Sequence, residues 1–202
     1  MRIGIDFDNT IVSYDALFHK VACEQGLVPP DTPLSKVAVR DHLRRIGRED
    51  SWTEMQGYVY GARMVEAFAY EGAIEFMQRA AGAGHSIAII SHKTRHPFLG
   101  PRYDLHAAAR AWIERHLQRD GAALLSPDDV FFEVTKEAKL ARISAWRCEA
   151  FIDDLPEILL AAGFPPETAR LLFDPENHHS AAAPEGMPRF QSWGQIAGHL
   201  GA

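Results

Sequence analysis

The chain has 202 residues, 47% of them apolar and 24% charged, the make-up of an ordinary globular protein with room for one α/β domain and an insertion. Its formal charge of −6 and pI of about 5.9 argue against bulk nucleic-acid binding or attachment to an anionic membrane, so any anion-binding site has to be local. No run approaches the ~20 apolar residues of a membrane span, Met1-Arg2 leave no room for a signal-peptide apolar region, and Cys23 and Cys148 lack metal-ligand spacing; a soluble, cytoplasmic protein with buried, reduced thiols is expected.

The first element is a short strand from Arg2 to Ile5, mostly apolar and β-branched, and therefore expected to be buried between layers. Two carboxylates, Asp6 and Asp8, follow it one residue apart. In extended chain, positions i and i+2 point the same way, so both can face one small volume at the strand's carboxyl end. Like charges ~4 Å apart repel by about 4 kcal/mol at an effective dielectric of ~20, so a cation is expected between them. Hard oxygen ligands partly open to water suit Mg²⁺, although Asp-Asn at a strand end is also turn chemistry. Asp6-Phe7-Asp8-Asn9-Thr10 resembles the first motif (Asp-x-Asp-x-Thr) of the haloacid dehalogenase-like (HAD) superfamily, most of whose members are Mg²⁺-dependent phosphatases.

From Ser13 to Phe68 the pattern is helical, without a convincing strand. Leu17 and Val21 share a face of a helix stopping near Gly26; Pro29, Pro30 and Pro33 break the chain; Ser35 can cap a second helix; Trp52, Met55, Val59 and Ala62 mark a third. Arg40, His42, Arg44, Arg45 and Arg48 are interleaved with Asp41, Glu49 and Asp50, the pattern of a solvated mixed-charge face. In the resemblance, this insertion occupies the place of a type 1 cap, a helical lid over the active site.

A helix over residues 71–83 leads to a buried strand, Ser86 to Ile90, ending in Ser91. Strand, helix and strand in this order make a parallel pair with a right-handed crossover, placing Ser91 at the same sheet edge as Asp6. Neighbouring strands lie ~4.8 Å apart, within reach of a phosphate held over Asp6. An apolar strand ending in Ser resembles the superfamily's second motif. The loop that follows, His92 to Tyr103, is the most cationic segment able to face the site; Lys93, Arg95 and Arg102 are expected to select the substrate by contacting its non-phosphate part. No zinc spacing occurs there.

Leu105, Ala109, Ile113 and Leu117 define the next helix, and Val130 to Val134 the next strand. Thr135 caps a helix carrying Lys136 and Lys139, either of which can supply the lysine of the third motif; Thr-Lys-x-x-Lys before an apolar turn resembles related phosphatases that use the second lysine, which points to Lys139, with Lys136 as runner-up. Ala150-Phe151-Ile152 is another buried strand, and it ends in a second acidic pair, Asp153-Asp154, which resembles the fourth motif. Four acids around one divalent ion make sense together. Arg170 to Phe173 is a fifth strand, residues 175–188 read as loop, and Trp193, Ile196, Ala197 and Leu200 mark a closing helix.

Taken together, the resemblance implies an α/β fold: a three-layer, doubly wound (Rossmann-like) parallel sheet with the first strand central, residues 1–12 and 69–202 forming the core and 13–68 an α-helical cap. It further implies a Mg²⁺-dependent phosphohydrolase. Asp6 is the nucleophile, Asp8 the acid/base, Ser91 and Lys139 the phosphate ligands. Asp6, Asp153, Asp154 and the Asp8 backbone carbonyl hold the metal. The expected partner is a small phosphorylated metabolite; nucleic acid and membrane are not expected. Asp8 favours phosphoryl chemistry over dehalogenation, which has no leaving oxygen to protonate. A phosphomutase would use the same acid/base. A non-enzymatic phosphoacceptor module is disfavoured by the order of the motifs, and an idle, partner-binding descendant by their being intact.

Overall fold

The computed structural model describes residues 1–179 and 187–201. In chain order the elements are β1 (Arg2–Ile5), β2 (Val12–Ser13), α1 (Asp15–Glu24), α2 (Lys36–Arg45), α3 (Glu49–Tyr60), β3 (Phe68–Ala69), α4 (Ala73–Gly82), β4 (Ser86–His92) and α5 (Leu105–His116). There follow β5 (Gln118–Arg119), β6 (Ala122–Ala123), β7 (Val130–Glu133), α6 (Lys136–Ala145), β8 (Ala150–Asp153), α7 (Pro156–Leu159), β9 (Ala169–Phe173), β10 (Arg189–Phe190) and α8 (Trp193–Leu200).

Six strands form one sheet in the order β10-β9-β8-β1-β4-β7, every pair parallel. The chain builds outward from β1 through β4 to β7, then returns to β1's other side and continues through β8 to β10. This reversal places the topological switch point between β1 and β8, where open α/β sheets bind ligands beyond their strand ends.

The sheet is covered on both faces, as its apolar strands require. On one side Ala88, Ile90, Phe151 and Leu172 pack with Ile143, Trp146, Leu159 and Phe164. Phe173, adjacent to Leu172 and so on the opposite face, meets Trp193 of α8 with ring centroids 5.5 Å apart, and Trp193 meets Phe76 of α4 at 5.2 Å. Gly4 has a packing reason to interrupt β1: a Cβ there would lie 2.6 Å from the Phe151 ring and 2.7 Å from Cys148 Sγ. Both cysteines are free thiols; Cys148 is buried, whereas Cys23, expected to be buried, is partly exposed.

The chain divides into two compact units, Met1–Val12 with Ala69–Lys93 and Leu117–Ala202, and Ser13–Phe68 with Thr94–His116. The second differs from the expected 13–68 insertion by the added segment 94–116. Its reason is packing: Trp112 of α5 is buried and its Nε1 donates to Ala67 O at 2.9 Å. Gly57 of α3 lets Pro97 approach to where a Cβ would stand 2.6 Å away. Within this unit the basic residues of α2 find acidic neighbours, Arg40 on Asp41 and Arg44 on Glu49.

Short strands β2 and β3, at the ends of the insertion, pair as a two-stranded sheet that the helical pattern does not announce. In the loop after β9, His178 and His179 donate their backbone N–H groups to the buried Asp174 carboxylate at 2.8 and 3.0 Å. The remainder of the expected 175–188 loop, residues 180–186, lies outside the described residues. Among the described residues no helix is long and apolar enough to cross a membrane.

Candidate active site

The site sits at the carboxyl ends of β1, β4 and β8. The Asp6 N–H donates to Ile152 O at 2.9 Å, continuing the β1–β8 ladder one step beyond the strand and fixing Asp6 beside Asp153. The chain then turns tightly: Ile11 and Val12 both donate to Phe7 O at 3.1 Å, and Asn9 adopts a positive φ of 59°, a conformation asparagine tolerates.

Asp6 and Asp153 are buried, and so is Lys139, which reaches them from the first turn of α6. Its Nζ lies 2.6 Å from Asp6 Oδ1 and 2.6 Å from Asp153 Oδ2. The lysine is aimed by its helix, whose N-terminus Thr135 caps by accepting the Ala138 N–H at 3.1 Å. Lys136, three residues earlier at the start of α6, is exposed and pairs with Glu157.

Burial is the largest influence on the Asp6 carboxyl; together with Asp153 it outweighs Lys139 and pushes the group up to about 7. Burial also opposes the Lys139 ammonium, but Asp153 and Asp6 outweigh it and hold the group above the ordinary lysine range.

Asp154 completes the acidic end of β8. Thr10, fully buried, accepts the Asp154 N–H at 3.1 Å and donates its hydroxyl to Asp154 Oδ1 at 3.3 Å, while the Leu155 N–H binds Asp153 Oδ1 at 2.9 Å. Asp6, Asp153 and Asp154 each offer an oxygen, all lying within 4.8 Å of one another. An all-oxygen trio of this kind is a candidate site for a hard divalent cation.

Asp8 has a lysine of its own. Lys93 Nζ lies 2.9 Å from Asp8 Oδ1 and 2.7 Å from Oδ2. Asp6 thus contacts Lys139 while Asp8 contacts Lys93. Lys93, grouped by sequence with the basic loop, is buried and lies in the sheet unit, whereas Arg95 and Arg102 lie in the helical unit. Arg95 is exposed and pairs with Asp104 at 3.1 Å. Ser91 is buried at the end of β4, opposite Phe132 of β7 in the register.

Two contacts, of Thr10 with Asp154 and of Lys93 with Asp8, were not foreseen from the sequence. Thr10 belongs to the quoted motif, yet its link to Asp154 needs the tertiary fold. Lys93 carried a readable signal: β4 runs to His92 rather than ending near Ile90, and alternation then places Lys93 two residues beyond Ser91 on the same side.

No protein-family model matches the sequence, and no curated protein is significantly similar to it. Solved structures are similar along nearly the whole chain. A HAD-superfamily hydrolase from Ehrlichia chaffeensis superposes with a TM-score of 0.56 at 15% identity, covering 98% of this chain and 95% of its own. A predicted phosphoglycolate phosphatase from Haemophilus somnus gives 0.57 at 13% identity, with 98% and 97% covered. An archaeal beta-phosphoglucomutase from a hyperthermophilic Pyrococcus gives 0.54 at 16% identity, with 99% and 100% covered. A dehalogenase is also among the similar structures. A parallel sheet with its switch point between β1 and β8, matched end to end by such proteins, shows that this chain has the fold of the HAD-superfamily hydrolases.

Proposed function

We propose that the protein is a Mg²⁺-dependent phosphohydrolase that cleaves a small phosphate monoester through an aspartyl-phosphate on Asp6. The observation that carries this reading is the meeting of Asp6, Asp153 and Asp154 at one switch point, with buried Lys139 bridging the first two and Asp8 two residues from the nucleophile. A dehalogenase has no use for an acid at Asp8, and that residue favours phosphoryl transfer among the chemistries this fold hosts.

In this reading an Asp6 carboxylate oxygen attacks phosphorus in line as the bond to the leaving oxygen breaks, and Asp8 gives that oxygen a proton. Asp8 then takes a proton from a water that attacks the same phosphorus, releasing inorganic phosphate and restoring Asp6. Lys139 and Ser91 hold the phosphoryl oxygens. Asp6, Asp153, Asp154 and the Asp8 backbone carbonyl would hold Mg²⁺, which supplies positive charge between the nucleophile and the phosphate dianion. Residues 13–68 serve as the type 1 cap, with Arg95 and Arg102 choosing the substrate, and the expected location is the cytoplasm.

The test is phosphate release from a panel of phosphorylated metabolites and p-nitrophenyl phosphate, with Mg²⁺ and with EDTA. Wild type should turn over at least one ester only with the metal, and Asp6→Asn should lower kcat by about 10³-fold or more, as loss of a nucleophile does. Arg95→Ala and Arg102→Ala should raise KM for the preferred substrate alone. Equal activity of Asp6→Asn and wild type would sink the reading; transfer of phosphate to a second hydroxyl, without release, would turn it toward a phosphomutase.

A further inference from the structure

Lys93 is not used by the mechanism above, yet a lysine this deeply buried requires an explanation: its side chain is 4% exposed, and an ammonium is costly to desolvate unless it is held by acceptors. Both ends of its contact with Asp8 are rigid. On the lysine side, the backbone N–H donates to Glu133 O at 2.8 Å, extending the β4–β7 pairing past His92. Nζ stands 5.8 Å from the centre of the Phe7 ring, which packs edge-on against Phe132 at 5.6 Å. On the aspartate side, Asn9 N–H donates to Val12 O at 2.9 Å and a bridge joins Asp8 to Val12, so the turn carrying the carboxyl is closed on itself.

Resting on the phosphohydrolase reading, we infer that Lys93 is a positioning residue that acts through Asp8. By meeting both carboxyl oxygens at 2.9 and 2.7 Å it anchors the position of the group that passes the proton to the leaving oxygen and takes one from water. Contact with both oxygens from one buried ammonium tethers the carboxyl by charge-assisted hydrogen bonds and limits how far it can swing away from the site. Proton transfer requires heavy atoms about 2.6–3.2 Å apart, and misplacement by about 1 Å can cost about 10²-fold, so a fixed carboxyl is worth a buried charge. Ser91 and Lys93, two residues apart, then divide the labour at the end of β4: the first serves the phosphoryl group, the second the proton carrier.

The experiment is a double-mutant cycle on the full-length protein with Mg²⁺, using p-nitrophenyl phosphate, whose good leaving group keeps residual activity measurable. Lys93→Met, which keeps bulk but removes the donors, should lower kcat about 10–100-fold in wild type with KM changed less than about twofold. In an Asp8→Asn background the same change should cost less than about twofold, since the group being positioned has already lost its function. Should Lys93→Met fail to fold, Lys93→Gln in both backgrounds supplies the same comparison. A loss of equal factor in both backgrounds overturns the inference, as does a loss confined to KM, which would make Lys93 a phosphate ligand. These outcomes differ from failure of the underlying reading, in which wild type itself releases no phosphate from any ester tried; that result overturns both.

Discussion

Two ionic clusters of similar composition lie in the two units, and their settings could hardly differ more. At the sheet edge Lys139 and Asp153 have side chains 2% and 0% exposed, with Asp6 beside them. In the helical unit, Arg63 reaches Glu24 and Glu66, and Lys20 pairs with Glu66 at 2.8 Å, among side chains such as Lys20 and Glu24 that are 56% and 45% exposed. Water reaches most of the second cluster, with Arg63 at 16% exposed its driest member, so its pairs tie α1 to the short segment Met64–Glu66 at modest gain and modest cost. The first cluster gives up hydration that its internal attraction only partly replaces. Such a cluster is poor as an adhesive; its retention is explained by chemistry that requires charges held in a dry, fixed array.

The comparison is broken most severely by removing one member of the buried set. Lys139→Met leaves Asp6 and Asp153 facing each other without a cation, and should lower the stability of the EDTA-treated protein by about 3–5 kcal/mol in urea unfolding at pH 8. A change comparable with that of an exposed pair would show that the sheet-edge charges are better solvated than their burial implies.

The pH dependence of the two clusters should have opposite signs. The Asp6 carboxyl, raised by burial from 3.8 to about 7, keeps its proton in the folded protein over a range where the unfolded chain has released it. Its contribution therefore falls as pH rises from about 4 to about 7. Glu66 is held down from 4.5 to about 2, chiefly by its hydrogen bonds from Arg63 and then Lys20. Its contribution is present above 4.5 and is lost as pH falls through 2. In EDTA, Asp6→Asn should therefore gain stability relative to wild type as pH rises from 4 to 7 and then level off. Identical pH profiles for the two proteins would remove the claim that burial governs this carboxyl.

The smallest effect belongs to the exposed cluster: Glu66→Gln should shift the urea midpoint only slightly at pH 7, by an amount that shrinks at high salt. A salt-independent loss as large as that of Lys139→Met would abolish the distinction between the clusters.

What could be read in advance divides along similar physical lines. Strands β1, β4, β7, β8 and β9 were legible because strands buried on both faces are short, nearly continuous apolar runs, and the acids at the ends of β1 and β8 stand out against them. Arg189–Phe190 and the single turn Pro156–Leu159 are too short to carry a period, so β10 and α7 were not seen. The β5–β6 hairpin did announce itself: Asp120-Gly121 sits between the strands with positive φ at both residues, the two-residue turn such hairpins favour. Its flanks, Gln118-Arg119 and Ala122-Ala123, lack the alternating apolar residues that would have completed the signal. At the site, the acids at the strand ends were singled out by type and spacing, and Lys139 by the resemblance of its motif. The separate pairing of Asp8 with Lys93 was not, because it joins a turn to the continuation of a strand 85 positions away.

The place of β1 in the sheet bears on how the molecule comes into being on the ribosome. Ile3 pairs with Ile87 on one side and Ala150 on the other, and the helices of 13–68 share their unit with the later segment 94–116. β1 thus waits for neighbours translated long after it, and the chain must emerge as far as β8 before the nucleophile's own surroundings can close. Nascent chains released short of Asp153 would carry an exposed apolar strand with no second edge to pair against, natural clients for a holding chaperone.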